Sequence, residues 1–121
     1  MIIDKWLIYL FFILGEYNMP KKNHLKEITQ QIVEEVAPDK IILFGSRAKQ
    51  KQSKESDYDI FVLKNDLTHK RKLAQRIYLK LDVDVSVDII VETPKRYNQL
   101  KDNPFLIYSE IAKYGRIIYE K

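Results

Sequence analysis

The 121-residue sequence contains no cysteine and only two histidines, His24 and His69. The lack of cysteine excludes disulfides, iron–sulfur clusters, thiolate zinc sites and a cysteine nucleophile. Two histidines leave little room for a histidine-built zinc centre or a Ser-His-Asp triad. Any catalytic chemistry in this chain is therefore expected to depend on carboxylates.

Long apolar segments are also missing. The run at 6–14 has nine apolar residues, whereas a transmembrane helix needs about 20. The segment lacks the basic start and small-residue cleavage site of a secretory signal. We interpret residues 1–18 as an apolar leader that is either not native, if translation starts at Met19, or an extra helix. Residues 19–121 are predicted to form a single domain of a cytoplasmic protein, and no membrane partner is expected.

The charge balance is mild, with 21 basic and 17 acidic residues and a net charge of +4. Such an excess suits phosphate ligands without requiring a nucleic acid. The helix predicted at 69–81 carries five cations but no aromatic platform for stacking bases, and a solvated face is its ordinary interpretation. No DNA partner is expected, and a nucleic-acid-binding module is the weakest functional alternative.

Periodicity predicts an α/β domain in which helices and short strands follow one another. Apolar residues spaced three and four positions apart indicate helices. Short runs of β-branched apolar residues, or alternation of apolar and polar residues, indicate strands. The predicted helices lie at 23–36, 69–81, 93–100 and 105–113, and the predicted strands at 40–44, 58–63 and 83–91, with an edge strand at 116–120.

Gly45 directly follows the strand at 40–44 and precedes Ser46. Glycine permits a ligand to approach the backbone closely. If a helix starts at Ser46, its free N–H groups and the serine hydroxyl would form a phosphate site. The alternative is an ordinary turn at the end of a strand, which a lone Gly-Ser pair also fits.

Carboxylates occur on two of the predicted strands. Asp57 and Asp59 are separated by one residue, so alternation points both the same way. Their mutual repulsion would be offset by a hard cation such as Mg²⁺, although a solvated edge strand is an alternative. On the third strand we select Asp88, because its apolar neighbours predict burial, where an isolated carboxylate is costly. Three convergent carboxylates beside a phosphate-binding turn would form a two-metal phosphoryl-transfer site.

The stretch at 45–60 consists of Gly-Ser, ten residues and Asp-x-Asp, and VDIIV follows at 87–91. Together these motifs resemble the polymerase-beta-type nucleotidyltransferase superfamily. More narrowly, the chain is similar to the minimal nucleotidyltransferases (MNT) of prokaryotes, which are often encoded beside a HEPN-domain ribonuclease and act as its antitoxin. The resemblance covers about residues 24–120. It implies an α/β (α+β) fold with a small mixed sheet of three or four strands flanked by helices.

The resemblance also implies the roles of the selected residues. ATP would be the donor, with Gly45 and Ser46 at its triphosphate. Asp57 and Asp59 would be ligands of two Mg²⁺ ions, and Asp88 would be the third carboxylate, able to act as general base. In the antitoxin branch the acceptor is a tyrosine hydroxyl on the HEPN toxin, which is adenylylated and silenced.

Several positions depart from the common family pattern. Lys49 and Gln50 replace an Arg-Gly pair that many relatives have. Arg47 matches a family position and would orient the phosphates, or else form a surface salt bridge to Glu55 or Asp57. Tyr58 stands between the two aspartates, and we interpret it as a core residue rather than a self-modification site.

Two further functions remain open at this stage. A pure binding antitoxin would neutralise its toxin without catalysis and would tolerate loss of the carboxylates. Nucleotidyl transfer to a small molecule such as an aminoglycoside is the other, although enzymes of that kind usually add a larger second domain. Homo- and hetero-oligomers are both compatible with the sequence.

Overall fold

The computed structural model describes residues 23–49 and 57–121, so the prediction of an apolar leader at 1–18 lies outside the described residues. No helix within 23–49 and 57–121 has both the length and the apolar character needed to cross a bilayer. In chain order the elements are α1 (His24–Val36), β1 (Lys40–Phe44), α2 (Gly45–Ala48), β2 (Tyr58–Leu63), α3 (Lys70–Lys80), β3 (Val87–Glu92), α4 (Pro94–Leu100), α5 (Ile107–Tyr114) and β4 (Arg116–Glu120).

The four strands form one mixed sheet in the order β3-β2-β1-β4. The central strand β1 is antiparallel to both β2 and β4, whereas β2 and β3 are parallel. The expected small mixed sheet flanked by helices is therefore confirmed. The tail strand predicted at 116–120 is also confirmed, and it forms an edge of the sheet.

Local sequence signals set the ends of the helices. The Asn23 side chain accepts the backbone N–H of Lys26 at 3.1 Å, and α1 ends where Ala37 adopts a left-handed conformation with φ of 46°. Thr93 caps α4 in the same way, accepting the N–H of Arg96 at 3.2 Å. These N-caps satisfy backbone donors that have no partner within the helix.

Two predicted boundaries differ from the structure by two residues or more. The third strand begins at Val87 rather than at residue 83, because its neighbour β2 begins at Tyr58, which pairs with Val87. Residues 83–86 nonetheless keep the predicted alternation, and Val83 and Val85 pack against the core. The last helix begins at Ile107, two residues later than predicted.

The sheet has an apolar core on each face. Helices α1 and α3 cover one face, where Ile28 and Ile77 pack against Ile60. Helices α4 and α5 lie over the other face, whose cluster is built around the fully buried Phe61 and Ile111. Side chains alternate along a strand, so β2 presents Asp59 on the same face as Phe61. The candidate carboxylates therefore lie on the side of the sheet that carries α4 and α5.

Candidate functional site

The structure brings the aspartates of two strands together at one end of the sheet. Asp59 on β2 and Asp88 on β3 are register partners in the parallel pair, so their side chains share a face. Asp57 lies two residues before Asp59 and has the same orientation by alternation. Partial burial raises the pKa of Asp59, and the negative charges of Asp88, Asp57 and Glu110 raise it further. The three selected acids thus interact electrostatically, while their catalytic roles stay predictions.

The prediction that Asp88 lies in a buried environment is wrong. A buried strand was expected around it, but β3 is an edge strand and the Asp88 side chain is exposed. The cost of desolvation falls instead on Asp59, which is half-buried on the more central strand β2. Asp88 is therefore the accessible member of the group and Asp59 the constrained one.

Gly45 lies in direct contact with the Asp59 carboxyl group. Phe44, the last residue of β1, pairs with Asp59, and the chain then turns at Gly45 with φ of +73°. A Cβ atom at this position would lie 3.0 Å from Asp59 Cγ and would collide with Oδ2. Glycine is therefore required both for the left-handed backbone and for the close approach of the carboxylate.

The turn after Gly45 is a short helix. A helix start at Ser46 was one of two alternatives considered from the sequence; α2 starts at Gly45 and has only four residues. The backbone N–H of Lys49 donates to the Gly45 carbonyl oxygen at 3.3 Å and ends the helix. We call residues 45–49 the Gly-Ser turn. This turn follows β1 directly, so the sheet fixes its distance from Asp59.

Arg47 makes a contact that the sequence did not predict. Its guanidinium carbon lies 3.8 Å from the centroid of the Tyr58 ring, within the range of a cation–π interaction. Tyr58 packs against the larger core cluster, so its predicted role in the core is confirmed. Because Tyr58 and Asp59 point to opposite faces of β2, Arg47 stacks on the face opposite the carboxylates. Its role at the phosphates stays a prediction.

An ion pair that no sequence pattern predicted lies beside the carboxylates. Lys49 Nζ lies 2.6 Å from Glu110 Oε1 on α5 and 4.7 Å from the centroid of the Tyr114 ring. The hydrogen bond to Glu110 raises the pKa of Lys49. The two residues are 61 positions apart, so no local pattern could have joined them. The one available signal was that Glu110 is the only acidic residue in α5.

A buried carboxylate, that of Glu92, lies at the opposite end of β3, where this residue is 1% exposed. Its carboxylate accepts hydrogen bonds from the Tyr108 hydroxyl at 2.5 Å, Lys70 Nζ at 3.0 Å and the Thr93 N–H at 3.0 Å. Arg96 Nε lies 3.4 Å away. Burial alone would raise the pKa of Glu92, but these hydrogen bonds outweigh it and the pKa is lowered. Burial and the bond to Glu92 raise the pKa of Tyr108 to about 12.

One cavity lies at the end of the sheet away from the aspartates. It has a volume of about 360 Å³ and is lined by residues that include Asp39, Tyr97 and Lys121. Its wall contains Lys40 and Leu63, which pair at one end of β1 and β2. Asp59 pairs with Phe44 at the other end of the same two strands. The residues that line this cavity do not include Asp57, Asp59 or Asp88.

The acidic end suits a hard cation in donor type, because carboxylate oxygens are preferred ligands of Mg²⁺. Asp59 and Asp88 are neighbours, and repulsion among the acids would be relieved by a positive charge. Within residues 23–49 and 57–121, however, no three His, Cys, Asp or Glu side chains are grouped closely enough to hold a metal ion. The arrangement therefore provides a carboxylate pair with a third acid nearby.

A mixed sheet with a Gly-Ser turn after its first strand and aspartates on the next two strands defines a nucleotidyltransferase class of protein. The chain belongs to the family described as Polymerase beta, Nucleotidyltransferase, which matches residues 25–121. The resemblance inferred from the Gly-Ser and Asp-x-Asp motifs is thus confirmed at the level of this family.

Solved structures show the same fold. The chain is similar to a chain in a crystal structure of a toxin–antitoxin with AMP-PNP, with 23% identity, a TM-score of 0.54, and coverage of 78% of this chain and 72% of that chain. It is also similar to a chain in a mutant of the toxin–antitoxin MntA-HpeT, with 22% identity, a TM-score of 0.53, and coverage of 83% and 75%. A comparison with curated proteins gave no significant match.

Proposed function

We propose that this nucleotidyltransferase is a protein adenylyltransferase that moves AMP from ATP to a tyrosine hydroxyl of a cognate HEPN-type toxin and so acts as its cytoplasmic antitoxin. Two linked contacts carry the proposal: Asp59 pairs with Asp88, and the Asp59 carboxyl group lies against Gly45 of the Gly-Ser turn. A phosphate-binding turn and a carboxylate pair are the two parts that nucleotidyl transfer requires. The similar fold found in toxin–antitoxin complexes, one of them with AMP-PNP, supports the choice of partner and nucleotide.

The residues divide into two groups with different tasks. Gly45, Ser46 and Arg47 bind the triphosphate of ATP, Arg47 through a side chain that leaves the Tyr58 ring when the nucleotide binds. Asp57, Asp59 and Asp88 would hold two Mg²⁺ ions, which when bound would neutralise charge on the phosphate oxygens and on the leaving pyrophosphate. This chain places one acid, Asp59, against the turn that holds the phosphates, so nucleotide and carboxylates share a fixed geometry.

We assign to Asp88 the activation of the acceptor hydroxyl. Its side chain is exposed on the edge strand, where the hydroxyl of another protein can reach it. Asp88 takes the proton as the acceptor oxygen forms a bond to the α-phosphorus of ATP. The bond between the α-phosphorus and the bridging oxygen breaks at the same centre, and pyrophosphate leaves with that electron pair.

Label transfer from ATP tests this proposal. The protein is incubated with Mg²⁺, ATP labelled on the α-phosphate and the cognate toxin, and the variants Asp57→Asn, Asp59→Asn and Asp88→Asn are compared with wild type. Each variant is expected to lose at least about 100-fold in transfer rate, because charge stabilisation dominates such reactions. The exposed Asp102→Asn serves as a matched control and is expected to transfer normally.

Folding of the variants is checked by thermal unfolding. Asp59→Asn is expected to keep or raise the Tm, because it removes a charge whose ionisation the neighbouring acids oppose. Normal transfer by Asp59→Asn and Asp88→Asn would contradict the assigned roles. Neutralisation of the toxin without label would favour a binding antitoxin, and label on a small acceptor would favour the small-molecule enzyme.

A further inference from the structure

Lys49 links the Gly-Ser turn to helix α5. Its backbone N–H donates to the Gly45 carbonyl oxygen at 3.3 Å, which fixes the start of the side chain relative to the turn. Its ammonium group lies 2.6 Å from Glu110 Oε1 and 4.7 Å from the centroid of the Tyr114 ring. Both ends of this long side chain are therefore held, one by the turn and the other by α5.

The Lys49–Glu110 pair is not what holds α5 on the sheet. The two side chains are 33% and 38% exposed, and ion pairs in contact with water contribute little to folding stability. Helix α5 is held independently by Ile111, which is 1% exposed, and by the bond from Tyr108 to the buried Glu92. The distinctive effect of the pair is to restrict where the Lys49 ammonium can lie.

The position of Glu110 is electrostatically unfavourable without Lys49. Glu110 is close enough to Asp59 to add to the negative charge that Asp57 and Asp88 already place there. A fourth carboxylate in such a group costs free energy unless a cation lies beside it. Lys49 supplies that cation, so the two residues form one unit at the edge of the acidic end.

We propose that Glu110 is a positioning residue for nucleotide binding, which together with Tyr114 holds the Lys49 ammonium beside the Gly-Ser turn before the triphosphate arrives. This inference rests on the proposed function. A free lysine loses much rotamer freedom when it binds an anion, and a lysine that is already held loses less. The ammonium has three donors, so a bond to Glu110 leaves two for phosphate oxygens.

The test measures nucleotide affinity separately from turnover. Glu110→Gln in the full chain is expected to weaken the affinity for MgATP, measured by calorimetry, by about fivefold. The KM for ATP should rise by a similar factor, and kcat at saturating ATP should change less than about twofold. Glu110→Asp keeps the charge and is expected to restore part of the affinity.

Two further variants identify the route of the effect. Glu120→Gln breaks the Lys40–Glu120 pair, which has a distance of 3.0 Å and a lysine that is likewise 33% exposed, but lies at the other end of the sheet. This control is expected to leave MgATP affinity unchanged. In a Lys49→Met background, Glu110→Gln should cause no additional loss, because Glu110 acts through Lys49.

The outcomes separate this inference from the proposed function. Unchanged or tighter MgATP binding by Glu110→Gln would overturn the inference, since it would mean that Glu110 only competes with phosphate for Lys49. A further loss in the Lys49→Met background would overturn it as well. If wild type binds MgATP but labels no toxin, the proposed function fails while the affinity series still decides the role of Glu110. If wild type binds no MgATP, both fail.

Discussion

Gly45 is the residue on which the acidic end of the sheet depends most. It has a φ of +73°, and its missing side chain leaves the space that the Asp59 carboxyl group occupies. The sequence indicated that a ligand could approach the backbone here. The structure adds that a side chain of the same protein already does so, which ties the turn to the carboxylates.

Replacement of Gly45 by alanine is expected to damage both stability and transfer. The left-handed backbone alone costs about 1–3 kcal/mol for a residue with a Cβ, and the new atom would push the Asp59 carboxylate away. We expect a lower Tm and a transfer rate comparable to that of Asp59→Asn. Thermal unfolding and label transfer measure the two effects.

The collision with the Asp59 carboxyl group can be separated from the backbone strain by making Gly45→Ala in an Asp59→Ala variant as well. In Asp59→Ala the carboxylate is absent, so the cost of Gly45→Ala in free energy of unfolding should fall to the backbone component. A Tm of Gly45→Ala equal to that of wild type would show that the turn relaxes without cost and would contradict the close approach.

At the scale of elements, α5 connects the two ends of the sheet. Tyr108 on its first turn bonds the buried Glu92 at 2.5 Å, Ile111 is buried against the sheet, and Glu110 bonds Lys49. Tyr108 also stacks near Phe61, with ring centroids 5.5 Å apart. Helix α5, which brings Glu110 beside the aspartates, is therefore anchored by the hydrogen bond from Tyr108 to Glu92 at the other end of β3.

Tyr108→Phe tests this anchor. The variant keeps the ring but leaves the buried Glu92 carboxylate without one of its donors, which should cost about 1–3 kcal/mol of unfolding free energy. Urea unfolding gives the value. The matched control is Tyr114→Phe on the same helix, whose ring is 48% exposed and whose change should be close to zero. Equal stabilities of Tyr108→Phe and wild type would argue against an anchoring role.

For the whole molecule, the buried Glu92 determines part of the pH dependence of stability. Its folded pKa lies below the ordinary value of 4.5, so below that value the unfolded state binds more protons than the folded state. The contribution of Glu92 is therefore complete above its ordinary pKa. It is lost as the pH falls through the lowered pKa of the folded protein.

Glu92→Gln should remove this component. At neutral pH the variant is expected to be less stable by about 1–3 kcal/mol, because a charged hydrogen-bond acceptor is lost from a buried site. The difference from wild type should shrink on acidification below 4.5. Unfolding free energies from pH 7 to pH 3 measure it, with the exposed Glu34→Gln as the control. A difference that stays constant over this range would contradict the assignment.

The sequence by itself determined the elements, the family motifs and the acids on the second and third strands. These features follow from local patterns: the periods of 2 and 3.6 residues, the Asn23 and Thr93 caps, and the glycine at a turn. A strand or cap is decided mainly by neighbours along the chain, which is why β1 and β2 agree with the prediction residue for residue.

Only the tertiary structure decided which of these residues meet. The order β3-β2-β1-β4 exposes Asp88 on an edge strand, opposite to the burial that its apolar neighbours suggested. Lys49 and Glu110 come together across 61 positions, and Tyr108 reaches Glu92 across 16. Such contacts arise from the packing of helices on a particular strand order, and no pattern of a few neighbouring residues encodes that order.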